Sequence, residues 1–148
     1  MLDDDRYVIE VTPAWGRAHD PGAVVAGGAV GSRALGRLRA FRYEIHRSKG
    51  GVIPDIDFAV ASPQRPSHDR RQAEQLLGLV AQFPGTTWGR DELATGDMWN
   101  SNSLTSWLLA RSGHTMSDIS PPEGGRAPGW SAGVVVADRQ RLTRSWIP

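Results

Sequence analysis

A chain of 148 residues with 39% hydrophobic and 22% charged side chains fits one globular domain, spanning 1–148 around a single core, and not a disordered chain. The formal net charge of +1 excludes a global polyelectrolyte pull toward nucleic acid or anionic membranes and leaves only local patches to consider. Cysteine is absent, which excludes disulfides, thiolate metal sites and a cysteine nucleophile in this sequence.

The first residues, M-L-D-D-D-R, are acidic where a secretory leader is basic, and the most apolar stretch, Ala23–Val30, is too short and glycine-rich to cross a bilayer. The expectation is a soluble, cytoplasmic protein without a transmembrane segment. Tyr7–Val11 (Y-V-I-E-V) reads as a β-rich first strand closed by Pro13. Pro21–Gly36 carries five glycines and reads as a loop or a weak strand around Val24. In Leu38–Arg47, Phe41, Tyr43 and Ile45 alternate with Arg42, Glu44 and His46, the period of a strand with one buried face. Lys49-Gly50-Gly51 then turns the chain, and Ile56–Ala61 resumes an extended pattern, so a hairpin ending at Ser62-Pro63 is expected.

Ser67–Phe83 has helical spacing at Ala73, Leu76, Leu77 and Val80, with Ser67 or Asp69 as cap and Pro84-Gly85 as stop. A second helix is expected from the Asn100–Ser103 region to Arg111, burying Leu104, Trp107 and Leu108 and ending at Gly113. A Pro/Gly-rich connection leads to a final strand at Gly133–Ala137. The fold class is then α+β, an antiparallel sheet with two main helices.

The segment W-N-S-N-S-L-T-S-W-L-L at 99–109 places four small polar residues ahead of an apolar stripe. Asn100 or Ser101 caps the helix, and the amides of its first turn surround the remaining hydroxyls. A nucleophile there has its anion stabilised by the helix dipole, and the amides form an oxyanion hole; the plain alternative is a redundant N-cap.

This box resembles the N-C-x-[HSTN] motif that opens the nucleophile helix of circularly permuted papain-like folds, the NlpC-like superfamily with its acyltransferase and deubiquitinating-type members. It also resembles an N-S-N-[ST] box of uncharacterised bacterial domain families. The resemblance covers roughly 38–137 and is specific only at the box. It implies a papain-like hydrolase or acyltransferase acting on an amide, ester or thioester of a small-molecule, peptide or lipid acyl substrate, without a cofactor. Asn100 and Ser101 match the first two motif positions, and His46 precedes them as the family's histidine does. On this reading Ser101 attacks the acyl carbon, His46 moves the proton, and Glu44, Asp57 or Asp55 orients the ring. Ser101 stands where the family has Cys. A hydroxyl is far less acidic than a thiol and needs a well-placed base. A Ser–His pair, a catalytically silent relative and a substituted Cys are therefore all open. His46 read as a solvated strand residue, and His114 as a second candidate base, stand beside this.

Two readings from other classes accompany it. In the first, the chain is a non-enzymatic binding domain whose Gly-rich loops present Trp88, Trp99 and Trp130 beside Asn102 and Ser103. In the second, Arg33, Arg37, Arg39, Arg42, Arg47 and Lys49 grip an anionic ligand; a solvated strand face is the plainer account of that cluster, and nucleic acid is not an expected partner. Asp91, Glu92 and Asp97 show no metal-ligand spacing and read as turn caps paired with Arg90 or Arg126.

Overall fold

The computed structural model describes residues 6–15, 22–53, 56–58, 64–121 and 125–145. In chain order these form β1 (Tyr7–Pro13), β2 (Ala23–Ala29), β3 (Arg42–Lys49), α1 (Arg70–Leu79), α2 (Ser101–Arg111) and α3 (Trp130–Ser145). The architecture is α+β: one antiparallel sheet in the order β1-β3-β2, with three helices.

The central strand explains the layering. Val11 lies opposite Ile45 and Ile9 opposite Arg47, and directly opposed residues share a face. Ile9, Val11, Tyr43, Ile45 and Arg47 therefore form the helix-covered face, and the Arg47 Nη1 donates to the Leu77 carbonyl of α1 at 3.1 Å. Glu10, Thr12, Glu44, His46 and Ser48 occupy the other face. Ile45, Leu79, Val80, Phe83, Trp99, Leu104, Trp107 and Leu108 are the heart of the core. Phe83 stacks on Trp99 at 4.8 Å and meets Trp107 edge-on at 5.6 Å, so three rings supply much of the buried apolar area.

Several elements depart from the sequence reading. The glycine-rich stretch forms a full strand, β2, because Gly28 leaves room for the Tyr43 ring, which would lie 2.8 Å from any Cβ there. The expected strand at 38–47 begins only at Arg42: residues Arg39–Phe41 form a 3-10 turn, and Phe41 is exposed instead of buried. Ile56–Phe58 is also a 3-10 turn, not extended chain, and β3 pairs with β1 and β2; the rest of the expected hairpin strand lies outside the described residues.

The expected strand at Gly133–Ala137 is part of α3. Its β-branched run favours a strand in isolation, but Ala132, Gly133, Val136 and Ala137 are buried together at helical spacing, and packing against α2 overrides propensity. The first helix is shorter than 67–83. Asp69 caps it, accepting from the Arg71 amide at 2.8 Å, and the chain tightens into a 3-10 turn at Val80–Gln82 before Pro84. Gly113, with φ +86°, stops α2 as expected.

Candidate functional site

The N-S-N-S box is a cap and a weld. Asn100 is the N-cap of α2, and its Oδ1 accepts from the Asn102 and Ser103 amides at 2.9 and 3.3 Å. The Ser103 hydroxyl accepts from the Asn100 amide at 3.1 Å, which completes a capping box. The same side chains reach the segment that opens α3. Asn100 Nδ2 and Asn102 Nδ2 both donate to the Pro128 carbonyl, at 2.7 and 2.9 Å. Ser103 Oγ donates to the Gly129 carbonyl at 2.8 Å, and Ser106 Oγ to that of Trp130 at 2.7 Å. Gly129 must be glycine here: its φ is +87°, and a Cβ would overlap Asn100 Oδ1 and fall 2.7 Å from Ser103 Oγ.

Asp97 closes the weld from the other side. Its Oδ2 accepts from the Gly129 amide at 2.7 Å and the Ser131 hydroxyl at 2.8 Å, while Oδ1 takes the Met98 amide at 2.8 Å. Burial acts to raise its pKa, but the bonds from Ser131, Met98 and Gly129 together hold the carboxyl below its ordinary value. Asp91 is lowered by the Thr95 and Gly96 amides, and Glu92 by the Thr87 hydroxyl and amide. These acids cap turns as expected. The arginine paired with Glu92 is Arg33, at 3.3 Å, and Arg90 instead donates to the Gly31 carbonyl. Among the described residues no cluster of three or more His, Asp or Glu is disposed to hold a metal.

The box leaves Ser101 exposed at the first position of α2, its hydroxyl without a hydrogen bond among the described residues. It borders an apolar groove of about 370 Å³ formed by Ile9 and Val11 of β1 with Leu76, Leu104 and Leu108. That groove lies on the helix side of the sheet. His46 is on the other side, opposite Glu10 and Val24, and is only 8% exposed. Its Nε2 lies 3.5 Å from Glu44 Oε2 and its Nδ1 3.4 Å from the Gly22 carbonyl. The structure thus brings Glu44 to His46, but does not bring His46 to Ser101. Asp57 sits exposed on the 3-10 turn Ile56–Phe58, and Asp55 lies outside the described residues. His114 accepts or donates a 2.9 Å bond to Ser112 Oγ beyond the far end of α2.

The tryptophans divide. Trp99 is 2% exposed and donates Nε1–H to the Pro84 carbonyl at 3.2 Å, so it is core and not a loop rim. Trp130 is half-buried as the first residue of α3. Trp88 packs on Tyr43 at 5.0 Å between ring centroids and lines a second cavity, of about 350 Å³. Val11, Pro13, Trp15, Val30 and Arg42 complete its main walls. Tyr43 is anchored by its hydroxyl to the Thr86 carbonyl at 3.2 Å, and burial pushes its pKa up to about 12. Among the described residues the Arg42 guanidinium at this cavity has no ion pair. Sequence reading missed the site because Trp15, Arg42 and Trp88 are far apart in the chain and only the β1–β3 register and the Val30–Trp88 bridge unite them.

Among the described residues no helix is long and apolar enough to cross a membrane. Set against known proteins, the chain matches no family model, no curated sequence and no solved structure.

Proposed function

We propose that the chain is a non-enzymatic ligand-binding domain, and that its seat is the aromatic cavity beside Arg42. The observation that supports this reading is a cavity walled by Trp15, Tyr43 and Trp88 with a cation that has no ion pair among the described residues. Apolar walls with a few polar groups, here Thr12 and Arg42, are the usual composition of a small-molecule site, and about 350 Å³ is at the small end of the range. The complementary ligand is a compact organic carboxylate with a flat or short aliphatic body. Its body lies against the rings, and its carboxylate takes the planar fork of the guanidinium.

The test is titration of the chain with phenylacetate and hexanoate, followed by tryptophan fluorescence and calorimetry, with the matching neutral amides as controls. Saturable carboxylate binding, weakened about tenfold or more in the amides and in Arg42→Gln, supports the reading. Trp15 is exposed, so Trp15→Ala weakens binding without unfolding the chain. Equal responses to acid and amide, or none, sink it.

A second reading follows from Ser101. A hydrolase or acyltransferase of the permuted papain-like kind, or a silent relative, would use its exposed hydroxyl at the head of an apolar groove shaped for an acyl chain. That reading requires a base other than His46, and the Asn100 side chain already takes two amides that an oxyanion would need. Incubation with a fluorophosphonate separates the two: labelling lost in Ser101→Ala favours the enzyme, and an unlabelled wild type favours the binding domain.

A further inference from the structure

The stretch from Arg33 to Arg42, R-A-L-G-R-L-R-A-F-R, is exposed at every residue except Gly36. It forms two successive 3-10 turns, Leu35–Arg37 and Arg39–Phe41. Leu38 is the extended residue that joins the two turns, and Leu35, Leu38 and Phe41 together make this stretch an exposed apolar ridge. They are 42%, 57% and 39% exposed. Trp15, 67% exposed, extends the ridge: the Arg39 Nε donates to the Ala14 carbonyl at 2.7 Å and ties the Trp15 turn to this stretch. Single exposed apolar residues are ordinary, but four concentrated in one short stretch and the turn tied to it are the kind of apolar patch that marks a docking face.

The ridge is rigid and cationic. Gly36 lies so close to β2 that a Cβ would come within 2.6 Å of Ala29 Cβ, which pins the first turn to the sheet. Four arginines flank the apolar side chains, and no acidic residue occurs between Gly22 and Tyr43. Glu92 takes Arg33, but Arg37 and Arg42 have no ion pair among the described residues. Nucleic acid would complement the charge and leave the aliphatic side chains unburied. An anionic bilayer complements both, since apolar side chains enter the acyl boundary, a tryptophan sits at the headgroup level and arginines meet lipid phosphates.

We infer that the Leu35–Leu38–Phe41 ridge, with Trp15 and its flanking arginines, docks this domain on anionic lipid surfaces. Neither Leu38 nor Arg37 lines the aromatic cavity, so the docking stands or falls apart from the proposed ligand.

Co-flotation with vesicles tests it, using phosphatidylcholine alone and phosphatidylcholine mixed with phosphatidylserine. The chain is expected on the mixed vesicles and not on the neutral ones, and added salt weakens the binding. Leu38→Ser lowers the partition coefficient roughly tenfold, and Arg37→Gln about fivefold. Both side chains are exposed, so each variant should keep the wild-type circular dichroism; Phe41→Ser replaces Leu38→Ser if that variant does not fold. Failure to float with the mixed vesicles overturns the inference. So does flotation that Leu38→Ser, Phe41→Ser and Arg37→Gln all leave unchanged, or a dimer abolished by Leu38→Ser in a chain that ignores vesicles.

Discussion

Gly133 of α3 lies directly against Ser106 of α2: a methyl group on Gly133 would overlap the Ser106 hydroxyl oxygen and the Ser103 carbonyl, and would fall 2.8 Å from the Trp107 amide. Two of those three atoms are backbone, so rotating the Ser106 side chain away would not relieve the overlap. Gly133→Ala is expected to cost about 1–3 kcal/mol or more, despite alanine's better helix propensity. Gly78→Ala has the opposite sign. It sits on the exposed side of α1 with nothing within 4 Å of a Cβ, and should stabilise by up to about 1 kcal/mol. Urea unfolding of the two variants checks both signs in one experiment.

Asn100 and Ser101 are neighbours with different duties. Asn100→Ala removes the N-cap of α2 and one of the two donors to the Pro128 carbonyl, a loss of about 1–2 kcal/mol. Ser101→Ala changes an exposed side chain and should stay within about 0.5 kcal/mol of wild type. A comparable loss in both variants would mean that the cap has been misassigned.

Acid should loosen the α2–α3 weld. Asp97, Asp91 and Glu92 all have folded pKa values below their ordinary 3.8, 3.8 and 4.5. Their contribution is complete above those ordinary values and is lost as pH falls through the lower folded ones, so stability declines from about pH 5 downward. Asp97→Asn should be less stable at pH 7 and show a shallower decline. Thermal unfolding between neutral and acid pH reads both changes.

At the alkaline end the governing group is Tyr43. Its pKa rises from 10.0 to about 12 on folding, so the protein holds the phenol proton more tightly than the unfolded chain does. The resulting stability is intact below pH 10 and is lost as pH climbs toward 12. Tyr43→Phe should flatten this alkaline fall, while giving up the bond to the Thr86 carbonyl at every pH. Denaturant midpoints on both sides of pH 10 show whether the slope disappears.

The first strand, the middle of β3 and the first two helices were legible because their signals are local. Tyr43 and Ile45 alternate with polar residues, Asp69 stands at a cap position, and Asn100 precedes an apolar stripe. What stayed hidden depends on distant contacts. The valines at 134–136 spell a strand until Gly133 and Ala137 meet α2. Phe41 fits the buried parity of β3, but the chain is still in a 3-10 turn there, and that turn exposes it. His46 and Ser101 have the right order along the chain, yet residue order does not say which face of a sheet a side chain occupies; the Glu10–His46 register does. Trp15 carried no signal, because its neighbours at Tyr43 and Trp88 come from elsewhere in the sequence.

The weld also bears on how the chain is made. Asn100, Asn102, Ser103 and Ser106 find their acceptors 24–28 residues later, at Pro128, Gly129 and Trp130. During synthesis α2 emerges well before those acceptors. Until α3 leaves the ribosome, the α2 surface around Ser103, Ser106 and Trp107 has no helix to cover it. A nascent chain paused short of Gly133 would offer that surface to chaperones and proteases, and the last helix to appear would withdraw it.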